Sequence, residues 1–325
     1  MRKAALGPCL RSQFSRDNKM NHRGTIVVSG ASGLIGSALK CSLLSRGYLV
    51  RELSRKPNLP RGQSWDPATE QMDASILEDT IAVVHLSGEP IAQRWTFAVR
   101  QKILESRVKS TAMLAKNLAQ MDSPPPLIVA SGINYYGASC SGENGDITES
   151  SQSGTGFLAS VCREWEGAAQ PLINVGGRVV FMRTGVVLSA QGGALAKLLL
   201  PFRLGFGGPI GHGQQHMSWI AISDLVSAYV KAIEDGSIAG PINAVSPNSI
   251  TNKAFTTALA RSLFRPAILP LPAFLLRVVF GCMAKETLLA DMNVIPQRLL
   301  DMQFEWQTPD INSALLSCLK ERPNG

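Results

Sequence analysis

The sequence predicts an α/β fold with a doubly wound parallel sheet and a smaller, mostly helical substrate region on its C-terminal side. Short β-branched runs alternate with segments whose apolar residues recur at helical spacing. A glycine motif follows the first of these runs directly. Beyond residue 190, clustered glycines and proline-separated helical segments replace the alternation. Strands that alternate with helices form βαβ units, so we expect a Rossmann-type sheet covered on both faces.

The predicted elements begin with a buried strand at Thr25–Ser29 and a helix at Leu34–Ser45. The first 23 residues are expected to be a disordered basic leader, residues 24–190 the Rossmann domain, and residues 191–325 the substrate side, with some segments returning to the sheet. The other predicted elements are strands at 48–53, 81–86, 127–130 and 178–183, and helices at 95–119, 156–172, 223–233, 252–264, 271–281 and 309–320.

The net charge of +8 is concentrated in the leader. Residues 1–23 contain six cations and one acid, so the leader carries +5 and the rest of the chain +3. A core of +3 with 6% aromatic residues argues against a nucleic-acid partner. The leader is read as a disordered tail or as sequence upstream of a start at Met20, and an organelle transit peptide is the alternative. We otherwise expect a cytoplasmic protein.

Cysteine and apolar patterns give no sign of a disulfide framework or a membrane span. The six cysteines form no CxxC pair, which favours reduced thiols. The most apolar stretch, residues 268–283, contains two prolines and Arg277 and falls short of the ~18 uninterrupted apolar residues of a spanning helix. We therefore expect no membrane partner. The four histidines have no metal-ligand spacing, so no metal site is predicted.

A glycine-rich turn between the first strand and the first helix predicts a dinucleotide site. Residues 30–36 read GASGLIG, which fits GxxGxxG. Glycines at these places permit a tight turn, close approach of a pyrophosphate and close packing of helix on strand. The helix N-terminus adds unpaired N–H groups for phosphate oxygens. The predicted cofactor contacts in this turn are Gly30, Ser32, Gly33, Leu34, Ile35 and Gly36.

The end of the second strand favours NADP over NAD. An NAD enzyme usually places an acid there to hold the ribose 2′-hydroxyl. Here the strand ends with Leu53-Ser54-Arg55-Lys56, and the nearest acid, Glu52, lies inside the strand. Arg55 and Lys56 would suit a 2′-phosphate, although both could simply be solvated loop charges.

Several stretches resemble the extended short-chain dehydrogenase/reductase superfamily, in a divergent epimerase-like family with a C-terminal domain of unknown function. Some members of that family have been mislabelled as cell-division inhibitors. The resemblance covers residues 25–320 and implies a dinucleotide-binding epimerase or oxidoreductase fold. The matching stretches are GASGLIG (30–36), HLSGEPI (85–91), RW (94–95), SRVKST (106–111), SGINYYG (131–137), REWE (163–166), RTGVVL (183–188), the glycine-rich block 192–220 and NVIPQRLL (293–300).

The resemblance implies roles for residues that follow later strands. Ser131 takes the place of the superfamily's catalytic Ser or Thr, and Arg183 would lie near the nicotinamide or substrate. Residues 218–220 and Asp224 resemble the segment that closes over the substrate. The implied cofactor contacts after the first helix are Leu86, Ser87, Gly88, Glu89, Arg107 and Arg183.

The superfamily's catalytic Tyr-Lys pair is missing. Its YxxxK motif uses the Lys to lower the pKa of a Tyr that otherwise titrates near ~10. None of the four tyrosines has a Lys four residues on, and Leu158 and Cys162 occupy the expected places. Tyr135 and Tyr136 are the substitutes we favour as proton donors, with packing of the nicotinamide pocket as the alternative. Other candidates, each with a structural role as the favoured alternative, are Glu89, Cys162, His212 and His216.

Two functions remain open from the sequence. The first is an NADP(H)-binding epimerase or oxidoreductase acting on a small polar substrate, anionic or nucleotide-linked, with Ser131 holding the reacting oxygen. The second is a non-catalytic NADP-binding regulator or scaffold, which the absence of YxxxK favours. A homodimer is compatible with either.

Overall fold

The computed structural model describes residues 22–55, 64–140 and 146–320. Lys56 and nearly all of the leader lie outside these ranges. The strands are β1 Thr25–Ser29, β2 Leu49–Leu53, β3 Trp65–Asp66, β4 Gln71–Met72, β5 Thr80–His85, β6 Leu127–Gly132, β7 Ser139–Cys140, β8 Val179–Thr184, β9 Val186–Leu188, β10 His216–Met217, β11 Trp219–Ala221, β12 Gly240–Ala244, β13 Ile250–Thr251 and β14 Asp291–Met292. The helices are α1 Leu34–Ser45, α2 Phe97–Ala119, α3 Phe157–Gly167, α4 Gln170–Asn174, α5 Gly193–Arg203, α6 Ile222–Glu234, α7 Asn252–Ser262, α8 Ala273–Phe280, α9 Cys282–Glu286, α10 Gln297–Asp301 and α11 Ile311–Lys320.

Six parallel strands form the central sheet in the order β12-β8-β6-β5-β1-β2. β1 pairs with β2 on one side and with β5 on the other, so the direction of winding reverses between β1 and β5. In sheets of this kind, ligands bind in the crevice at the carboxyl ends of the strands beside that reversal. The predicted doubly wound α/β class is confirmed.

Helices cover both faces of the sheet because neighbouring residues of each strand point in opposite directions. Val28 faces a core that includes Leu39 of α1 and Tyr229 of α6. Val27 faces the opposite core, which includes Leu114 of α2 and Trp165 of α3. Each fully buried Leu or Val contributes roughly 1.5–3 kcal/mol relative to an exposed one, so these two layers hold the strand ends that carry the site.

The C-terminal side adds a third core. β9 pairs in parallel with β11, and helices α5, α7 and α11 pack around this pair. The Asp224 carboxylate accepts hydrogen bonds from the backbone N–H groups of Gln307 and Thr308 and from the Thr308 hydroxyl. Asp224 therefore holds the C-terminal segment in place. β12 returns to the central sheet as its edge strand.

One predicted helix, residues 156–172, is two helices in the structure. α3 ends at Gly167 and α4 begins at Gln170. Pro171 has no N–H to donate to the carbonyl four residues earlier, so the helical ladder is interrupted there. Within the described ranges, no helix is both long enough and apolar enough to cross a bilayer, and no cluster of three or more His, Cys, Asp and Glu side chains could hold a metal ion.

Candidate functional site

The glycine turn joins β1 to α1, and its backbone lies so close to neighbouring backbone that Gly30 and Gly36 leave no room for a side chain. Gly30 has φ +71°, and a Cβ there would lie 2.9 Å from the backbone carbon of Leu86. A Cβ on Gly36 would lie 2.2 Å from the Gly30 carbonyl oxygen. Gly33 caps α1 without a side-chain hydrogen bond, and Ser32 and Gly33 are exposed at the tip of the turn. The turn thus offers backbone N–H groups to a phosphate at the start of a helix.

The glycine-rich block predicted for the substrate side begins next to this turn. A Cβ on Gly192 would lie 3.2 Å from Cδ1 of Leu34, and a Cβ on Gly193 would lie 3.3 Å from Cδ2 of the same side chain. The start of α5 and the start of α1 are therefore neighbours, which brings the C-terminal region to the edge of the predicted cofactor site.

His85 fixes the strand end on the other side of the turn. Its Nδ1 lies 2.6 Å from the Ser29 hydroxyl oxygen and its Nε2 lies 2.8 Å from the Ser110 hydroxyl oxygen. Burial, assisted by the charge of Arg107, lowers the pKa of His85 to about 3. A neutral imidazole with both ring nitrogens engaged connects β1, β5 and α2. This connecting role of His85 was not predicted from the sequence. The only signal for it was a polar residue at the end of a buried apolar run.

Arg107 of α2 lies directly beneath the loop that follows β5. A Cβ on Gly88 would lie 2.9 Å from Cζ of Arg107. The Arg107 Nη1 group donates to the carbonyl oxygens of Glu89 and Ile103, both at 3.0 Å. Its Cζ lies 5.0 Å from the Trp165 ring, a cation–π contact. Burial lowers the pKa of Arg107, and among the described residues its buried Nε has no hydrogen-bond partner.

The loop carrying Leu86, Ser87 and Gly88 is pinned to α2 and to β1. The Leu86 N–H donates to the Ser29 hydroxyl at 3.3 Å. The Glu89 N–H donates to the Ser106 hydroxyl at 3.0 Å, while the Glu89 carboxylate accepts from the Gln93 amide at 3.3 Å. Through these contacts, Glu89 orders the loop that follows β5.

A buried hydrogen-bonded network occupies the carboxyl ends of β6 and β8. Ser131 and Arg183 are register partners in these strands. The Ser131 hydroxyl donates to Oε1 of Glu166 at 2.8 Å. Arg183 donates to the same carboxylate twice, from Nε at 2.9 Å and from Nη2 at 2.8 Å. Burial lowers the pKa of Arg183, but hydrogen bonds and charge from the Glu166 carboxylate raise it above its ordinary value, so the guanidinium stays charged.

The two tyrosines of this region contact Arg183 in different ways. The Tyr136 hydroxyl accepts from Nη1 of Arg183 at 2.9 Å and donates to Oδ1 of Asn243 at 2.7 Å. Tyr136 is fully buried, and burial raises the pKa of its hydroxyl to about 12. Tyr135 is half-buried, and its ring centroid lies 3.5 Å from Cζ of Arg183. Geometry therefore favours Tyr135 over Tyr136 as a group that a substrate could reach.

The places of the missing Tyr and Lys are apolar. Leu158 and Cys162 are buried on α3, and burial raises the pKa of Cys162 to about 11. The Glu286 carboxylate, from α9, accepts from the N–H groups of Phe157 at 3.1 Å and Leu158 at 2.8 Å. The C-terminal region thus caps the helix that carries Glu166.

The remaining predicted residues lie farther out. Arg55 is exposed after β2; hydrogen bonds from Ala68 and Thr69 lower the pKa of Asp66, and the Arg55 charge adds to this effect. Glu52 forms an ion pair with Lys40 of α1. The backbone N–H of Gln214 donates to His212 Nδ1, and the Nδ1 atom of His216 lies 3.0 Å from Asp291 Oδ1; both histidines are exposed.

Comparison with known proteins agrees with this architecture. The model of the "NAD dependent epimerase/dehydratase family" matches residues 26–244. The chain belongs to that family. A second model, "Domain of unknown function (DUF1731)", matches residues 271–318. Both parts of the resemblance drawn from the sequence are therefore confirmed.

Relatives and solved structures match along nearly the whole chain. "Epimerase family protein MT2273" of Mycobacterium tuberculosis is 39% identical over 89% of this chain and 96% of its own. The human epimerase family protein SDR39U1 (isoform 2), crystallised with NADPH, is 34% identical with a TM-score of 0.83, covering 92% of this chain and 100% of that one. A nucleoside-diphosphate sugar epimerase from Corynebacterium glutamicum is 35% identical with a TM-score of 0.76, covering 91% of this chain and 58% of that one.

Within the epimerase/dehydratase family, the site of this chain departs from the superfamily's YxxxK pattern. None of the four tyrosines is followed by a Lys four residues later, and Leu158 and Cys162 occupy the places expected from the sequence for the Tyr and Lys. Glu166, one turn beyond Cys162, instead brings a carboxylate to Ser131. In the sequence, Glu166 stood out only as part of the REWE stretch. Its contact with Arg183 could not be predicted, because that contact depends on the packing of α3 against β8.

Proposed function

We propose that this protein is an NADP(H)-dependent epimerase or oxidoreductase that acts on a small polar substrate, anionic or nucleotide-linked. The observation that carries the proposal is the hydrogen-bonded Ser131–Glu166–Arg183 network, which stands at the same sheet edge as the glycine turn. The Corynebacterium relative described as a nucleoside-diphosphate sugar epimerase supports the nucleotide-linked class. The human relative crystallised with NADPH supports the cofactor.

The residues around the glycine turn fit a dinucleotide. Added Cβ atoms at Gly30, Gly36 and Gly88 would meet backbone or Arg107 at 2.2–2.9 Å, so the cradle depends on their absence. Arg107, whose Nε has no hydrogen-bond partner among the residues that the structure describes, lies below the same loop. We assign the diphosphate to the turn at residues 30–36, the riboses to the loop at 86–88 and the 2′-phosphate to Arg55 with Lys56. When bound, NADP(H) supplies or accepts a hydride.

Ser131 and Glu166 supply the path for a proton. The Ser131 hydroxyl donates its hydrogen to Glu166, so Oγ can accept a hydrogen bond from a substrate hydroxyl. Arg183 orients the carboxylate by two parallel hydrogen bonds. Tyr135 stands over Arg183 as the second group that can exchange a proton with substrate, and Tyr136 positions Arg183 from its buried side.

The second candidate is a non-catalytic NADP-binding regulator. It is favoured by the apolar pair Leu158 and Cys162 at the places of the usual Tyr and Lys. It is also favoured by Tyr136, whose hydroxyl is fully used in contacts with Arg183 and Asn243. Under this proposal the network would be structural and would move no proton. A homodimer and a cytoplasmic location remain predictions for either candidate.

Cofactor binding and turnover separate the two candidates. We expect tight NADPH binding by fluorescence, and weaker binding of NADH. The Arg55→Asp variant should lower NADPH affinity at least tenfold, and the matched variant Lys116→Asp on α2 should not change it. Equal affinity of the wild-type protein for the two cofactors would contradict the NADP assignment.

Turnover is then measured against nucleotide-sugar and carbonyl substrates. In an enzyme, Ser131→Ala should reduce kcat by about 10²–10⁴-fold, the size of a lost acid–base contribution, with NADPH affinity retained. Tyr135→Phe should reduce kcat and leave the pH profile of the remaining activity altered. NADPH binding without turnover across the whole panel would identify the regulator instead.

A further inference from the structure

One surface of the C-terminal region exposes large apolar side chains over a long stretch. The described residues expose twenty such side chains in all, and eleven of them lie in residues 200–206 and 264–279. Among the most exposed are Phe206 at 65%, Phe264 at 89% and Ile268 at 75%. Apolar residues that are scattered singly over a surface need no explanation, but a concentration of this kind marks an interaction site. We refer to these two stretches together as the apolar face.

The two stretches form one continuous surface. The Leu269 N–H donates to the Gly207 carbonyl at 3.1 Å, and the Arg265 Nε group donates to the Arg203 carbonyl at 3.0 Å. These backbone contacts place the segment that ends in Phe206 beside the segment that contains Ile268. Leu204 directly follows Arg203, whose carbonyl Arg265 contacts. The end of α5 and the segment leading into α8 consequently present their apolar side chains together.

Helix α8 is the most apolar part of this face. Its sequence is AFLLRVVF, and Leu276 is its buried residue. Phe274, Val278 and Val279 are 63%, 71% and 57% exposed. A helix with seven apolar residues out of eight is normally buried in a core or in a membrane. The exposure of these α8 side chains therefore indicates that an apolar partner covers them.

The charges on the apolar face are all positive. Between residues 263 and 285, the charged or hydrogen-bonding polar side chains are Arg265, Arg277 and Lys285, with no Asp, Glu, Asn, Gln, Ser, Thr or His. The stretch from Gly193 to Phe206 adds Lys197 and Arg203, again without an acid. Cationic donors are thus interleaved with apolar side chains, and no side chain of these stretches offers a strong hydrogen-bond acceptor.

This chemistry discriminates among partners. A second copy joined by a two-fold axis would press the same cations against one another without a compensating acid. Protein interfaces normally present donors and acceptors on each side, but the polar side chains of these stretches are donors alone. A bilayer with anionic headgroups can bind both the apolar and the cationic side chains. The apolar side chains enter the boundary of the acyl chains, while Arg and Lys contact the phosphates.

We propose that the apolar face docks peripherally on the surface of an anionic lipid bilayer. This goes beyond the expectation of no membrane partner, which rested on the lack of a spanning run and did not consider docking by a folded surface. The proposal is independent of the proposed function, because none of the residues that carry it belongs to the Ser131 network or the glycine turn.

Sedimentation with vesicles tests the proposal on the full chain. We expect binding to vesicles of phosphatidylcholine with phosphatidylglycerol, at least tenfold weaker binding to phosphatidylcholine alone, and a further loss as salt is added, because surface charges are screened. Val279→Asp should reduce binding to the anionic vesicles at least tenfold. The matched control is Val175→Asp, since Val175 is 56% exposed and lies after α4, and this variant should bind as the wild type does.

A charge variant makes the test independent of the apolar substitution. Arg277→Glu should weaken binding to anionic vesicles, whereas Lys116→Glu on α2 should not. Unfolding by urea without vesicles establishes that each variant is folded. Absence of wild-type binding to anionic vesicles, or equal binding by Val279→Asp, would overturn the proposal. So would a wild-type dimer that Val279→Asp converts to a monomer, since the face would then be occupied by a second copy.

Discussion

The two sides of the candidate site are built in opposite ways. The cofactor side is made of backbone, and its geometry depends on side chains that Gly30, Gly36 and Gly88 lack. The side to which we assign proton transfer is made of side chains from separate elements. Ser131 and Glu166 are 35 positions apart in the chain, and Tyr136 and Asn243 are 107 apart. A local backbone turn can be predicted from the sequence, whereas a network of side chains that are distant in the chain forms only when the elements pack together.

The two sides also differ in how they respond to change. Adding a methyl group to the backbone cradle creates a collision, while removing one member of the charged network leaves its partners buried without compensation. We therefore expect the network to be the more sensitive to a single loss of charge.

The largest effect is expected at Glu166. Replacing it by Gln leaves Arg183, whose side chain is 4% exposed, without its counter-charge. Removing one partner of a buried ion pair costs about 3–5 kcal/mol, so Glu166→Gln should lower the free energy of unfolding by that amount in urea titrations. The matched control is Glu164→Gln, since Glu164 is exposed on the same helix.

A double variant sharpens this prediction. Glu166→Gln combined with Arg183→Met removes both charges and should recover part of the lost stability, because no unpaired cation remains. Additive losses from the two single changes would show that the pair does not act as a unit.

The second effect concerns the backbone cradle. In Gly36→Ala the new Cβ would lie 2.2 Å from the Gly30 carbonyl oxygen. Overpacking of this kind costs about 1–3 kcal/mol, and displacement of the turn should also weaken NADPH binding, measured by fluorescence titration. Gly167→Ala is the control, because a Cβ there meets nothing within 4 Å. Unchanged NADPH affinity in Gly36→Ala would remove the turn from the cofactor site.

The effect that is smallest near neutral pH is a dependence of stability on pH at the junction of the two sides. His85 has a folded-state pKa of about 3, below its ordinary value near ~6.5, so the unfolded chain binds a proton more readily between these values. Stability contributed by neutral His85 is complete above pH ~6.5 and declines as the pH falls towards 3, by about 1.4 kcal/mol for each pH unit.

Urea unfolding of the wild type and of His85→Asn over that range measures the contribution. The variant should lose this part of the pH slope, whereas His212→Gln, at an exposed histidine, should keep it. An equal slope in His85→Asn would mean that other groups govern the acid sensitivity.

Much of the fold could be read from the sequence because its signals are local. Apolar runs and helical spacing predicted β1 and α1 at the bounds observed and nine further elements within two residues, but they did not predict α5, β9, β11 or β12. The exception was the helix at 156–172, where Pro171 interrupts the ladder. The pattern also did not predict the small hairpin of β3 and β4, because a pair of two-residue strands has no periodicity to detect.

By itself, the sequence determined the class of the fold, the backbone turn for a dinucleotide and the loss of YxxxK, since each is a property of neighbouring residues. Tertiary structure alone decided which side chains meet Ser131 and Arg183. The packing of α3 against β6 and β8 brings Glu166 to Ser131 and Arg183, and the return of β12 brings Asn243 to Tyr136. Contacts between distant segments depend on the register of strands and the seating of helices, which no local pattern records.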